Sequence, residues 1–195
     1  MTSKPVLLAA LLAVATLSGC GTSPKSNFYT LGPEAVPAKT QTSYSVAIGA
    51  VTVPDMVDRP QIVIRAGANQ VVISDFDRWV GSLKGEISRA IADNLTQMLD
   101  GAIVYAYPQG ATVTADYKVM VDVQRFDSAL GDAATIEVLW QVRPVKGEPK
   151  NGRSAVREAT GGGGYDALVA AHSRALAAVS RDIANALRAA GAAAK

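Results

Sequence analysis

The chain has 195 residues, of which 49% are hydrophobic and 18% charged, and its formal net charge is +2. This composition is typical of a folded protein with enough chain for one core, and it excludes a disordered or fibrous protein. The near-neutral charge gives no basic footprint for nucleic acid, and the single Cys excludes an internal disulfide and thiolate metal clusters within the chain.

Residues 1–19 predict a lipoprotein signal peptide. Lys4 supplies a positive charge, and residues 6–17 are apolar except for Thr16. This stretch is shorter than the roughly 20 apolar residues of a membrane-spanning helix, and it matches the apolar region of a secretory signal, about 7–15 residues. Leu17-Ser18-Gly19-Cys20 follows and resembles a lipobox, so we expect cleavage before Cys20 and lipidation of its thiol. The alternatives are a plain signal peptide with a chance Cys and a buried N-terminal helix.

Residues 20–27 are interpreted as a lipidated tether, because they are polar and include Pro24. The extended segment Gly21–Asn27 reaches at most about 25 Å, which would hold the following domain close to a membrane. Position 21 is Gly rather than Asp, the residue that acts as an inner-membrane retention signal in enteric bacteria. We therefore expect the chain to be lipid-anchored at the periplasmic face of the outer membrane.

Residues 28–191 are predicted to form a single periplasmic α/β domain. Its first half contains short segments rich in β-branched and aromatic residues, which are typical of strands. These predicted strands are residues 28–31, 44–53, 61–65 and 70–73, the last two forming a hairpin around Ala66–Asn69. A helix is predicted at residues 82–99, because Ser82 is a suitable N-cap and apolar residues follow at steps of three and four.

The second half is predicted to contain four strands and a long terminal helix. The strands are residues 103–106, 117–124, 136–143 and 153–160, and the helix is residues 166–190. Strict alternation of apolar and polar residues in the two middle strands indicates antiparallel pairing with one buried face. The predicted fold class is therefore α/β (α+β), a two-layer sandwich of a mostly antiparallel sheet with two main helices on one face.

The loop that precedes the hairpin carries Asp58, Arg59, Gln61 and Arg65 around Pro60. Two interpretations remain open. Pro60 fixes the chain and Asp58 pairs with Arg59 or Arg65 to hold the loop, or the loop contacts a partner protein or a second subunit.

Arg78 and Trp79 lie just before the predicted helix and complete the candidate partner-binding set. Trp and Arg are the residues most enriched at interface hot spots. The alternative is that Trp79 packs at the start of the helix. Trp140 alternates with aliphatic residues in its strand and is predicted to lie in the core.

His172 lies on the apolar stripe of the last helix between Leu168 and Leu176, so we expect it to be packed rather than catalytic. An envelope hydrolase would need a nucleophile near it, such as Ser173 or Ser180. Neither lies in a nucleophile elbow. We therefore predict no catalytic residue, no metal site and no cofactor.

Six segments of the mature chain, taken in order, carry a family resemblance. They are Phe28–Leu31, Val53–Arg65, Asp77–Trp79 with the helix that follows from Leu83 to Leu95, Gln124–Asp127, Leu139–Val142 and Ala170–Leu176. The specific parts are Asp58–Val63 and Arg78-Trp79. On these residues the chain resembles the ABC-type transport auxiliary lipoproteins, a family of PqiC- and YmbA-like outer-membrane lipoproteins. It departs from the family pattern at Val80-Gly81-Ser82, where we expect Ala and a Glu-Pro-like pair, and at His172, where we expect a smaller residue.

The resemblance implies a role rather than a reaction. It implies an outer-membrane component of an intermembrane lipid transport system, in which an inner-membrane complex would work with an MCE-type periplasmic protein. The lipoprotein would dock that conduit at the outer membrane, and self-association into a homo-oligomer would suit this role. The alternative hypothesis is a periplasmic lipid- or small-molecule-binding lipoprotein with its ligand between helix and sheet.

Overall fold

The computed structural model describes residues 24–34 and 43–193, so the predicted signal peptide and Cys20 lie outside the described residues. The strands are β1 (Asn27–Tyr29), β2 (Ser45–Thr52), β3 (Gln61–Arg65), β4 (Val71–Trp79), β5 (Ile103–Tyr105), β6 (Tyr117–Ser128), β7 (Ala133–Pro144) and β8 (Lys150–Ala159). The helices are α1 (Leu83–Met98), the single turn α2 (Gln109–Thr112) and α3 (Tyr165–Ala193).

The larger sheet has five strands in the order β5-β2-β6-β7-β8. Strands β6, β7 and β8 form an antiparallel meander, as their alternating sequences predict. Strand β2 is parallel to both β5 and β6, because the chain returns from β2 to β5 by a crossover that contains α1. Both long helices pack on one face of this sheet and against each other, which confirms the predicted two-layer sandwich.

The smaller sheet has three strands in the order β1-β4-β3. The predicted hairpin is its antiparallel β3–β4 pair, and β1 adds to β4 in parallel. Strand β4 runs on to Trp79, six residues beyond the predicted end at Ile73. The polar run Ser74-Asp75 obscures the alternation there, so the sequence did not indicate that Arg78 and Trp79 belong to a strand.

Helix α1 forms for the reasons that its sequence suggests. Ser82 is the N-cap, and its side chain accepts a hydrogen bond from the Gly85 amide at 3.2 Å. The predicted apolar stripe is buried against β2 and α3; its members are Leu83, Ile87, Ile91, Leu95 and Met98. Within residues 24–34 and 43–193, no helix is both long and apolar enough to cross a bilayer.

Candidate functional site

Most of the candidate partner-binding residues come together at one cleft of about 370 Å³. Its lining includes Asp58 and Arg59 from the loop before β3, and Arg78 and Trp79 from the end of β4. Gln61 lies beside the cleft because it pairs with Arg78 across β3 and β4. Phe28, Val80 and the segment that starts α1 complete the lining.

The register of the small sheet decides which of these side chains face the cleft. Phe28 of β1 and Gln61 of β3 are the cross-strand partners of Arg78, so these three side chains lie in one row on the face away from the core. Trp79 is the next residue along β4, and it therefore points to the opposite face. Only 4% of Trp79 is exposed, whereas 63% of Phe28 is exposed.

The loop Pro54–Pro60, here called the docking loop, is held by its own backbone. The amide of Val57 donates to Pro54 O at 3.0 Å and that of Arg59 donates to Val57 O at 2.8 Å. The Trp79 amide donates to Pro60 O at 2.7 Å and ties the loop to β4. The loop therefore presents its side chains from a fixed backbone.

The charges around the cleft are unbalanced. Asp58 forms an ion pair with Lys84 at 2.6 Å rather than with Arg59 or Arg65. Arg59 and Arg78 form no ion pair with any carboxylate of residues 24–34 or 43–193. The Nε atoms of both guanidinium groups are buried and lack a hydrogen-bond partner in the same part of the chain. The cleft therefore carries two half-buried cations without a matching anion.

Arg65 lies away from the cleft and links the two sheets. Its guanidinium binds Asp127 of β6 at 2.9 Å, and Arg125 binds the same carboxylate at 2.7 Å. Burial alone would raise the pKa of Asp127, but the hydrogen bonds from Arg65 and Arg125 outweigh it and lower that pKa below its usual value. The predicted pairing of Arg65 with Asp58 is therefore wrong, and its carboxylate partner comes from the larger sheet.

Trp79 belongs to an aromatic cluster inside the domain. Its ring meets Phe126 edge-on with centroids 6.1 Å apart, and His172 stacks flat on Phe126 at 4.0 Å. Trp79 is therefore packed in the core rather than exposed, and its ring partners lie in β6 and α3. Its indole can act on a partner only through the cleft wall.

His172 is fully buried, and its Nε2 lies 2.8 Å from Ser128 Oγ. Desolvation lowers the pKa of His172 to about 3, so the imidazole is neutral at physiological pH. The serines considered as nucleophiles bond elsewhere: Ser173 Oγ accepts from the Gly32 amide, and Ser180 Oγ donates to Leu176 O. The described residues also contain no group of three or more His, Cys, Asp or Glu side chains placed to hold a metal ion.

The segment after β1 is fixed to both long helices. The buried Glu86 carboxylate accepts hydrogen bonds from Thr30 Oγ1 at 2.7 Å and from the Leu31 amide at 3.0 Å. Arg89 neutralises this carboxylate at 2.7 Å. The Leu31 side chain is fully buried. Thr30 and Leu31, which directly follow β1, are therefore held against α1.

A second, larger cavity of about 620 Å³ lies on the helix-free face of the five-stranded sheet. The exposed side chains of Met120 and Leu139 are its apolar floor. Trp140 points to the helix side, where its indole lies over Gly152, donates to Ser154 Oγ at 3.0 Å and is partly buried. A Cβ at Gly152 would collide with this ring, which explains the glycine.

Two cleft residues, Phe28 and Val80, and the ion-pair partner of Asp58, Lys84, lie outside the predicted partner-binding set. Phe28 belongs to the first segment of the family resemblance but not to the predicted partner-binding set. Its alternation with the inward-facing Tyr29 indicates that Phe28 faces outward. Val80 was treated only as a departure from the family pattern. Lys84 could not be matched to Asp58, because the pairing depends on how the docking loop folds back over the start of α1.

The described residues form an α/β fold in which the N-terminal strand β1 contributes to the lining of the cleft. The sequence matches the ABC-type transport auxiliary lipoprotein component family over residues 29–184, and the chain therefore belongs to this family. The resemblance inferred from the motifs is confirmed. The family is one of auxiliary transport lipoproteins and not an enzyme family. No curated protein matches the sequence.

Two crystal structures share the fold. An uncharacterized protein superposes with a TM-score of 0.70 at 21% identity, covering 84% of this chain and 99% of its own. A Xanthomonas campestris protein of the DUF330 family superposes with a TM-score of 0.60 at 18% identity, covering 80% and 92%. At these identities the likeness establishes the fold alone.

Proposed function

We propose that this auxiliary lipoprotein is anchored to the outer membrane through lipid on Cys20 and docks the periplasmic conduit of an MCE/ABC-type lipid transport system. The observation that carries the proposal is the position of the cleft. Phe28 lines it and lies only one residue beyond the tether, Gly21–Asn27, whose full extension is about 25 Å. A protein that bound at this cleft would be held next to the membrane.

The docking loop supports a protein contact at this place. Its backbone is preorganised by the hydrogen bonds described above, so little ordering entropy is lost when a partner binds. Met56 at its tip is 41% exposed, although Val57 beside it is buried and anchors the loop. We propose that the partner contacts the exposed atoms of Asp58, Arg59 and Arg78, with Gln61 at the edge.

In this proposal Arg65 and Trp79 do not contact the partner, and they hold in place the strands that carry the contact residues. Arg65 fixes β3 to β6 through Asp127, and Trp79 fixes β4 to the core. Self-association stays a prediction, and the exposed Met120 and Leu139 of the helix-free face are the positions at which to examine it.

Site-specific photo-crosslinking in intact cells tests the docking proposal. A benzoylphenylalanine replaces Met56 at the tip of the docking loop, and the matched control replaces Val145, which is 68% exposed in the turn after β7. We expect position 56, and not position 145, to capture an MCE-type periplasmic protein identified by mass spectrometry. Equal capture from both positions, or none from position 56, would contradict docking at this loop.

A further inference from the structure

We propose that the cleft binds the phosphate of a glycerophospholipid headgroup. Arg59 and Arg78 hold the phosphate, and Phe28 and Val80 contact the glycerol and the first methylene groups of the acyl chains. This inference rests on the proposed function, because lipid on Cys20 is what would hold the cleft beside a bilayer. The new element is the chemical class of the ligand: a glycerophospholipid would bind at the cleft where the partner docks.

The first argument is charge. A half-buried guanidinium without an anionic partner is unfavourable, because it has lost part of its hydration and gained no ion pair. Arg59 and Arg78 are both in this condition, and each has a buried Nε without a partner among the described residues. Two carboxylates near the cleft are already paired, since Asp58 binds Lys84 and Glu86 binds Arg89. Arg78 Nη2 donates to a backbone oxygen, Asp75 O, at 3.2 Å. A phosphate placed between the two guanidinium groups would match their charge and their forked donors.

The start of α1 adds to the same preference. Gly81, Ser82 and Leu83 line the cleft, and the helix begins at Leu83. The N-terminus of a helix carries partial positive charge and free amide groups, both of which favour an anion. The helix N-terminus and the two arginines therefore both contribute positive charge to the cleft, and both favour a bound anion.

The second argument is the combination of charge with apolar surface. Phe28 is 63% exposed and Val80 is 62% exposed, and both lie on the cleft beside the arginines. Single exposed apolar residues are ordinary, but two at the mouth of a cationic cleft suit an amphiphile better than a small anion. The cavity, about 370 Å³, falls within the usual range of small-molecule sites, roughly 300–1,000 Å³.

Intrinsic fluorescence offers a binding test, because Trp79 follows Arg78 in β4 and its indole packs in the core directly behind the cleft wall. The chain has two tryptophans. The variant Trp140→Phe leaves Trp79 as the single reporter, and Ser154 keeps its hydrogen bond to Asp182 at 2.6 Å. The full mature lipoprotein carrying this variant, in non-ionic detergent, is titrated with dihexanoylphosphatidylglycerol. Inorganic phosphate and dihexanoylglycerol are titrated separately, as the two halves of that lipid.

We expect the phospholipid to give a saturable change in Trp79 fluorescence, with at least tenfold weaker binding of either half. Arg59→Gln and Arg78→Gln should each weaken phospholipid binding by about tenfold, because each removes charge-assisted hydrogen bonds. Arg181→Gln is the matched control on the exposed surface of α3, and it should bind like the parent. Thermal unfolding midpoints of the variants separate lost binding from lost folding.

Three results would overturn the inference. Equal affinity for phosphate and phospholipid would make the cleft a free-anion site, and equal affinity for dihexanoylglycerol would make it a simple apolar groove. An unchanged affinity in both Arg59→Gln and Arg78→Gln, with normal folding, would place any lipid elsewhere. The titration needs neither the anchor in a membrane nor the partner, so its failure leaves the docking proposal standing, and failed crosslinking leaves this inference standing.

Discussion

Acidification should destabilise this domain through His172. The side chain is fully buried, and its Nδ1 has no hydrogen-bond partner among the described residues. Desolvation holds its pKa at about 3 in the folded protein, against 6.5 for the unperturbed group. Below pH 6.5 His172 is therefore mostly protonated in the unfolded chain, but it stays neutral in the folded domain down to about pH 3. As far as His172 determines it, the free energy of unfolding is therefore highest above pH 6.5 and decreases as the pH falls from 6.5 towards 3.

The size of the effect follows from the pKa difference. Each pH unit inside this window changes the free energy of unfolding by up to about 1.4 kcal/mol, so the loss between pH 7 and pH 5 is about 2 kcal/mol. The interval above pH 5 is informative because carboxyl groups titrate mainly below it. His172 is also the single histidine of the chain.

Urea unfolding followed by circular dichroism at pH 7, 6, 5.5 and 5 measures this loss. The variant His172→Phe keeps an aromatic ring against Phe126 but cannot titrate, so its free energy of unfolding should stay nearly constant over the same range. Ser128→Ala removes the hydrogen bond to Nε2 and should keep the pH dependence. An equally steep loss of stability with acid in His172→Phe and in the parent would show that His172 does not cause the pH dependence.

Three further variants test the packing around the cleft. Trp79→Ala should lower the free energy of unfolding by about 3–5 kcal/mol in urea, because it leaves a cavity beside Phe126; a change below about 1 kcal/mol would contradict its core role. Ser82→Ala should cost about 1 kcal/mol in the same assay through loss of the N-cap, and no loss would contradict the capping geometry. Glu86→Ala should speed hydrogen exchange at the Leu31 amide at least tenfold, and unchanged exchange would show that the segment is held otherwise.

The sequence was sufficient where local pattern decides the structure. The N-cap at Ser82 and the apolar spacing of α1 depend on residues within one or two turns. Alternation in β6 and β7 identified their buried faces, because each strand has one side against the helices. These elements could be read without knowledge of the rest of the chain.

The sequence was insufficient where partners are distant. Arg65 and Asp127 are 62 positions apart and meet only because the small sheet packs against β6. The faces of Arg78 and Trp79 depend on β4 continuing past Asp75, which its polar residues concealed. The cleft itself joins β1, the docking loop and the start of α1, so no single segment could reveal it.

Anchoring of the domain depends on lipid at Cys20, and intact-mass spectrometry of the protein extracted from membranes tests this lipidation directly. We expect a mature chain that starts at Cys20 and carries the added mass of a diacylglyceryl group and an acyl chain. A free thiol at position 20, or a mature chain that begins at another residue, would contradict anchoring and with it the placement of the cleft beside the membrane.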